Sequence, residues 1–383
     1  MRLEGYPRND GKVGIRNHVL FLSTVVCSNG IVHQIGCEFP DVVALEHTKG
    51  CIELADDREI TRKMLIGLAN NPNVGVVMFV GLGCEETTGE YLSRELEGKK
   101  PVGHISIQKE GGTSKSLEKC RRLAREFLEK THRQKREPFA VDKLFIATKC
   151  GGTDWTSGII SNPSVGIISD RIVQAGGISL LGETVGWFGA EKILMRRART
   201  DQVRLDILKI LHKRYTEAER RGGRIEDANP SPGNIAGGIT TLVEKALGNI
   251  RKGGESVIEG VLGIAEHPPH PGFWLMDNPG IDPASVAGMA AAGAQIILFT
   301  TGRVTPTGSP ICPVIKICAT PGIVKMMAEN IDIDLSDIVI QGTPLINAAD
   351  RIEMFIEQVA SGRLTQSELL GHREFVMPQM EML

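Results

Sequence analysis

The run VGVVMFV at positions 74–80 constrains this chain more than any other feature. It is continuous, rich in β-branched residues and bounded by turns. A strand with no polar face must be covered on both sides, which is the situation of an interior strand in a parallel sheet. Its neighbours repeat the theme. Residues 19–24, 42–46 and 104–107 read as further strands. Helices are expected over 28–36, 56–69, from the GLGCEE turn to about 97, and over 112–135. Strands that alternate with helices imply a parallel sheet wound through right-handed crossovers.

The pattern restarts after the basic, proline-containing segment KTHRQKREPFA. Strands are expected at 144–148, 178–182, 273–276, 296–300 and 314–318, with helices ending near 175 and over 189–199, 201–221 and 284–292. The polar residues 341–383 are expected to cover one edge of this second sheet. The fold class is therefore α/β, with two domains, 1–138 and 139–383, each a mainly parallel sheet flanked by helices. A chain of 383 residues is long enough for both to hold sizeable cores.

Composition removes several functions. The formal net charge is −2 and aromatics make up 4% of the residues, so neither nucleic acid nor an anionic membrane is an expected partner. No apolar run approaches the roughly 18–20 residues of a membrane span, and the polar N-terminus MRLEGYPRNDGK is no signal peptide. The eight cysteines include no C-x-x-C pair, which argues against a zinc ribbon and for reduced thiols in the cytoplasm. Gly81-x-Gly83-x-x-Glu86 lacks the third glycine of a dinucleotide fingerprint, and no phosphate loop is present. Neither NAD nor pyridoxal phosphate is expected, and the architecture is Rossmann-like without a dinucleotide site.

Ligands of open parallel sheets bind beyond the carboxyl ends of the strands. The loops there carry His47, Lys49 and Cys51 in HTKGC, Cys84 and Glu85 in GLGCE, and Lys149, Cys150 and Asp154 in KCGGTD. Glu183 ends the next strand, and TTGR brings Thr300, Thr301 and Arg303. Each has a plainer alternative: a strand-end cysteine can be packing, His47 an ordinary loop residue, and Glu183 a cap for a nearby helix. Arg303 favours function, because a planar fork after a strand and a glycine suits a carboxylate. The stretch NPSPGNIAGGITTLVEKALGNIRK, 229–252, passes from about ten residues without regular structure into a helix. There Thr241 and Glu244 have capping-box spacing. Such a helix start favours an anion, and Lys245 and Lys252 add charge beside it.

That stretch resembles the central signature of the altronate/galactarate dehydratase family, which also includes the large subunit of sulfolactate sulfo-lyase. Further matches follow in family order: GYPRNDGKVGIRNH, HTKGC, GLGCE, EGGT, KCGGTD, AAGAQIILFTTGR and PVIKICATP. The resemblance spans nearly the whole chain. It implies an enzyme that removes water, or sulfite in the sulfo-lyase branch, from a hydroxylated acid. A base takes the proton next to a carboxylate, and a divalent metal neutralises the developing charge. Fe2+ is the expected ion, with Mn2+ or Mg2+ as substitutes, held as a mononuclear site rather than an iron–sulfur cluster.

The implied roles are His47, Lys149 and Glu183 in proton transfer, Lys149 as base or charge clamp, and Glu85 and Asp154 on the metal. Arg16, Asn17, Thr241, Lys245, Thr301 and Arg303 fall to substrate binding. Single-chain members carry an additional small N-terminal domain, which the sulfo-lyase branch places on a separate subunit. A small partner chain and a homo-oligomer are therefore expected. LGHREF and PVIKICATP look like the sulfo-lyase branch, whereas TTGRVTPTGSP looks like the sugar-acid dehydratases, so both substrate classes stay open. A non-catalytic acid-binding subunit is the third reading.

Overall fold

The computed structural model describes residues 1–379. In chain order its strands begin with β1 (Leu3–Pro7), β2 (Val13–Gly14), β3 (His18–Ser23), β4 (Val42–Leu45), β5 (Val74–Gly81), β6 (Val102–Ser106) and β7 (Glu137–Phe139). They continue with β8 (Phe145–Gly151), β9 (Ile178–Leu181), β10 (Ile258–Leu262), β11 (Gly272–Met276), β12 (Ile296–Thr301), β13 (Val314–Cys318) and β14 (Ile333–Asp334).

Every residue of β5 is buried, as a strand without a polar face requires. It lies inside a four-stranded parallel sheet of order β4-β3-β5-β6. A second, seven-stranded sheet has the order β10-β11-β9-β8-β12-β13-β14 and is parallel throughout. The α/β class and the parallel sheets stand as the alternation of the sequence implies. The strand order reverses between β3 and β5 in the first sheet and between β8 and β12 in the second. Crossovers leave in opposite directions at such points, and the loops beyond them open a crevice.

Several segments differ from the sequence expectation. The small antiparallel sheet β2-β1-β7 was not foreseen, and it stitches the exit segment Glu137–Phe139 back to the N-terminus. Strand β10 and the two-residue β14 were also missed: IEGVL contains a glycine, and two residues carry no periodicity. Residues 229–240 contain a short helix, Pro232–Ala236, capped by Ser231. Thr241 does cap the next helix, Leu242–Asn249, but the Glu244 carboxylate accepts from Thr240 N and Oγ1 instead of returning to the cap. The C-terminal segment covers a sheet face as well as its edge. The amphipathic helix Leu345–Ala360 buries Ile352, Phe355, Ile356 and Val359 in the core shared with β8, β12 and β13.

The two parallel sheets share one apolar core. Met64, Leu65 and Leu68 of helix Ala55–Asn70 join Ala287 and Ala290 of helix Asp282–Ala291 in it. A buried polar seam crosses the same contact. Asn71 Nδ2 donates to the carbonyls of Ala290 and Ala294, and Asn73 Nδ2 donates to those of Gln295 and Ile311. Buried amides with both partners fixed specify one docking geometry. No helix of the described residues is long and apolar enough to cross a membrane.

Candidate active site

Lys149 and Cys150 occupy the carboxyl end of β8, beside the switch point of the larger sheet. Lys149 is fully buried, and its ammonium has three partners: Glu183 Oε2 at 3.1 Å, Asp282 Oδ1 at 3.1 Å and the Gly280 carbonyl at 3.0 Å. An ammonium has three hydrogens, so none is left for another acceptor. Burial alone would lower its pKa, but Glu183, Asp282 and Cys150 outweigh that and hold Lys149 above the ordinary lysine range. Lys149 is thus a charge clamp and is badly placed to act as a base.

Glu183 follows β9 and is buried. Burial pushes its pKa up, yet Lys149, Lys252 and Lys245 together bring it below the usual carboxylate range, so it is ionised at neutral pH. Its backbone is left-handed, with φ of 71°. A non-glycine residue held there costs on the order of 1–3 kcal/mol, and such strain gathers at functional sites. The Cys150 thiol lies 3.5 Å from Glu183 Oε2 and 3.1 Å from Asn249 Oδ1, and it accepts from Thr153 Oγ1. Asn249 also takes a hydrogen bond from buried Lys252. The chain Lys252–Asn249–Cys150–Glu183–Lys149–Asp282 is therefore continuous.

A cavity of about 360 Å³ opens above this chain, lined by Cys150, Glu183, Asn229, Asn234, Lys245 and Asp282 among others. Lys245 donates to Asn229 Oδ1 at 2.6 Å and to Asn234 Oδ1 at 3.1 Å. Arg303 is exposed at the rim. A Cβ added to Gly152 would stand 3.0 Å from Arg303 Cβ, and one on Gly233 would stand 3.6 Å from its Cδ. Thr301 is buried, and its hydroxyl accepts from Val304 N to shape the turn that presents Arg303.

Asp154 props this turn from below. Its Oδ1 accepts from Thr156 Oγ1 and from Ser157 N and Oγ, and its Oδ2 accepts from Thr320 Oγ1. A Cβ on Gly302 would fall 2.0 Å from Asp154 Cγ, so only glycine lets the TTGR turn pass.

The other expected site residues lie apart. In the smaller sheet the Glu85 carboxylate accepts from Thr24 Oγ1 at 2.9 Å and Gly83 N at 2.6 Å, across the β3/β5 switch point. His47 is buried, with Nε2 2.7 Å from the Ser23 carbonyl and Nδ1 accepting from Lys49 N. Burial lowers its pKa, and neither ring nitrogen is free to move a substrate proton. Arg16 spends all five donors on Glu368 and on the carbonyls of Ile15, Val359 and Arg363. Asn17 is tied to Arg8, Thr131 and Gln134. Both precede β3, at the amino end of the sheet, and serve the scaffold. Thr241 is a helix cap.

Residues 5–132 match the D-galactarate dehydratase/altronate hydrolase second domain, and residues 141–382 match the D-galactarate/altronate dehydratase C-terminal domain. The chain belongs to the galactarate/altronate dehydratase family. It is 36% identical to (2R)-sulfolactate sulfo-lyase subunit beta of Chromohalobacter salexigens, over 98% of this chain and 97% of that one. It is 33% identical to altronate dehydratase of Bacillus subtilis, over 98% of this chain and 77% of that one. To the L-threo-forming galactarate dehydratase of Escherichia coli it is 31% identical, over 94% and 73%. Lyase activity is what these relatives share, as the family motifs imply.

The expected metal finds no ready donor set. Among the described residues no three His, Cys, Asp or Glu side chains gather so as to hold an ion. Glu85 and Asp154 sit in separate hydrogen-bond sets, and Glu183 and Asp282 are bridged by an ammonium. As arranged, these residues do not fit a divalent cation.

Sequence reading named Lys149, Glu183, Lys245 and Arg303, and these four the fold brings to one crevice. It missed Asp282, Asn229, Asn234 and Asn249. Asp282 had a usable signal: Asp-Pro after a predicted strand opens a helix at the sheet's ligand edge. Asn249, late in an ordinary helix, had none.

Proposed function

We propose that the chain eliminates a small leaving group from a hydroxylated carboxylic acid, giving a 2-keto acid. The observation that carries this reading is the Glu183–Lys149–Asp282 array, with Lys149 and Glu183 buried, beneath the cavity that Lys245, Asn229 and Asn234 line. Lys149 bridges two carboxylates, and one of them removes the proton next to the substrate carboxylate. Glu183 is our choice of base, since its backbone is strained to reach the cavity and its charge is held by lysines. Lys245 and Arg303 orient the anionic substrate. A sugar acid that loses water is the first reading. Sulfite loss from sulfolactate is the second, supported by the near full-length match to the sulfo-lyase subunit beta.

That relative is named as a subunit, which supports a smaller partner chain here too. The exposed thiols Cys27, Cys37, Cys51 and Cys84 suit a reducing cytoplasm. Fe2+ remains a proposal drawn from the family resemblance, and no step is assigned to it. The test is a screen of altronate, galactarate and sulfolactate with the chain alone and with any co-purifying partner, with and without added Fe2+ or Mn2+. It is scored for 2-keto acid and for sulfite. No product from any acid with the partner present would overturn the reading in favour of an acid-binding subunit.

A further inference from the structure

We infer that Cys150 is the acid of the elimination: its thiol protonates the leaving hydroxyl, and Glu183 then returns the proton it has taken. The inference rests on the lyase reading above and adds a second catalytic residue to that site. Its ground is the orientation of the groups around the sulfur. Asn249 is fixed, because its Nδ2 donates to the Gly186 carbonyl and its Oδ1 accepts from buried Lys252. The atom that faces the sulfur, at 3.1 Å, is therefore the acceptor Oδ1. Glu183 Oε2, 3.5 Å from the sulfur, is an acceptor as well. A sulfur set between two acceptors meets them with its hydrogen, so Cys150 stands as an S–H donor in the cavity wall. Thr153 Oγ1 donates to the same sulfur at 3.3 Å and is in place to steady a transient thiolate.

The other donors nearby are placed worse for this task. Lys149 has its three hydrogens on Glu183, Asp282 and the Gly280 carbonyl. Lys245 donates to Asn229 and Asn234, and its charge acts on Glu183. Hydroxide leaves poorly, so C–O cleavage needs a proton in the transition state. The step balances within two residues. Glu183 takes the hydrogen next to the substrate carboxylate as a proton, and the C–H electron pair becomes the new C=C bond. The neighbouring C–O bond breaks with its pair on oxygen, which takes the S–H proton and departs as water. Cys150 is left a thiolate and Glu183 a carboxylic acid. One proton passing from Oε2 to Sγ across the 3.5 Å contact restores both. The enol product isomerises to the 2-keto acid.

The test compares leaving groups on the full chain, with any co-purifying partner retained. Altronate and galactarate lose hydroxide; their analogues with fluorine in place of that hydroxyl lose fluoride, which departs with little help from an acid. Cys150→Ala should lower 2-keto acid formation from the sugar acid by about 10²-fold or more, and fluoride release by less than about threefold. Cys150→Ser keeps the size and a weaker donor. It should fall between the wild type and Cys150→Ala on the sugar acid, and it serves if the alanine variant does not fold. Equal losses for both leaving groups would make Cys150 a prop for Glu183, and no loss for either would remove it from the reaction; each outcome overturns the inference. The same split in Lys245→Gln, and not in the Cys150 variants, would make Lys245 the acid. Turnover of sulfolactate alone, with sulfite leaving, overturns the inference and leaves the lyase reading standing. No turnover of any acid removes the lyase reading, and the inference with it.

Discussion

Nζ of Lys149 lies 3.1 Å from Oε2 of Glu183, and both side chains are shut off from solvent. Removing one partner of a buried pair strands the other charge, typically at about 3–5 kcal/mol. Lys149→Met should destabilise the fold by that order in denaturant titration. It should also move the acid limb of the pH–rate profile. Lys149 helps hold the Glu183 pKa below the usual range, so Glu183 is ionised above that depressed value and activity fails as pH falls through it. Without Lys149 the limb shifts to higher pH. An unmoved limb in a folded variant would separate Glu183 from catalysis.

Glu183 and Asp282 are the two candidate bases, and they can be told apart. Glu183→Gln keeps shape and loses the base, so kcat should fall by about 10²–10⁴. Asp282→Asn keeps one oxygen towards Lys149 and should cost less if Glu183 is the base. The reverse ranking, measured with saturating substrate, would move that role to Asp282.

Arg16 joins the segment before β3 to Glu368 near the other end of the chain, with Nε 2.8 Å from Oε1. Arg16→Ala leaves the half-buried Glu368 without its cation and should lower stability by up to about 3–5 kcal/mol. The Michaelis constant of the folded fraction should not change. A selective rise in that constant would restore Arg16 to substrate binding.

His47 gives a pH signature of its own. Its neutral ring bridges Ser23 O and Lys49 N, and burial depresses its pKa below 6.5. Below pH 6.5 the unfolded chain therefore binds a proton that the folded chain resists. The stabilisation is present above that pH and is lost as pH falls towards the depressed value. Melting temperature should drop in this window, and the drop should be smaller in His47→Gln.

The cysteines divide in a way that bears on cluster chemistry. Cys27, Cys51 and Cys84 are exposed, whereas Cys150 is buried and tied to Asn249, Glu183 and Thr153. Protein purified without oxygen should contain no stoichiometric inorganic sulfide. Sulfide in that sample would place a cluster on the exposed thiols.

The alternation of apolar runs with amphipathic helices was enough to give the class and the parallel sheets, because burial on both faces leaves a strand few polar positions. The loops at the carboxyl ends were legible for the same reason: in an open parallel sheet topology alone assigns the ligand edge. Lys149, Glu183 and Arg303 were found that way, and Lys245 from the capped helix start within residues 229–252. What local sequence could not supply was which polar side chains are consumed by the fold. Arg16, Asn17 and His47 look like site residues until Glu368, Thr131 and Ser23 arrive from distant positions and take their hydrogen bonds. Asp282 and Asn249 look ordinary until β11 is set beside β9 and helix Leu242–Asn249 is laid against the end of β8. Periodicity is a property of neighbours along the chain. Partnership of buried charges is a property of neighbours in space, and only the tertiary structure decides it.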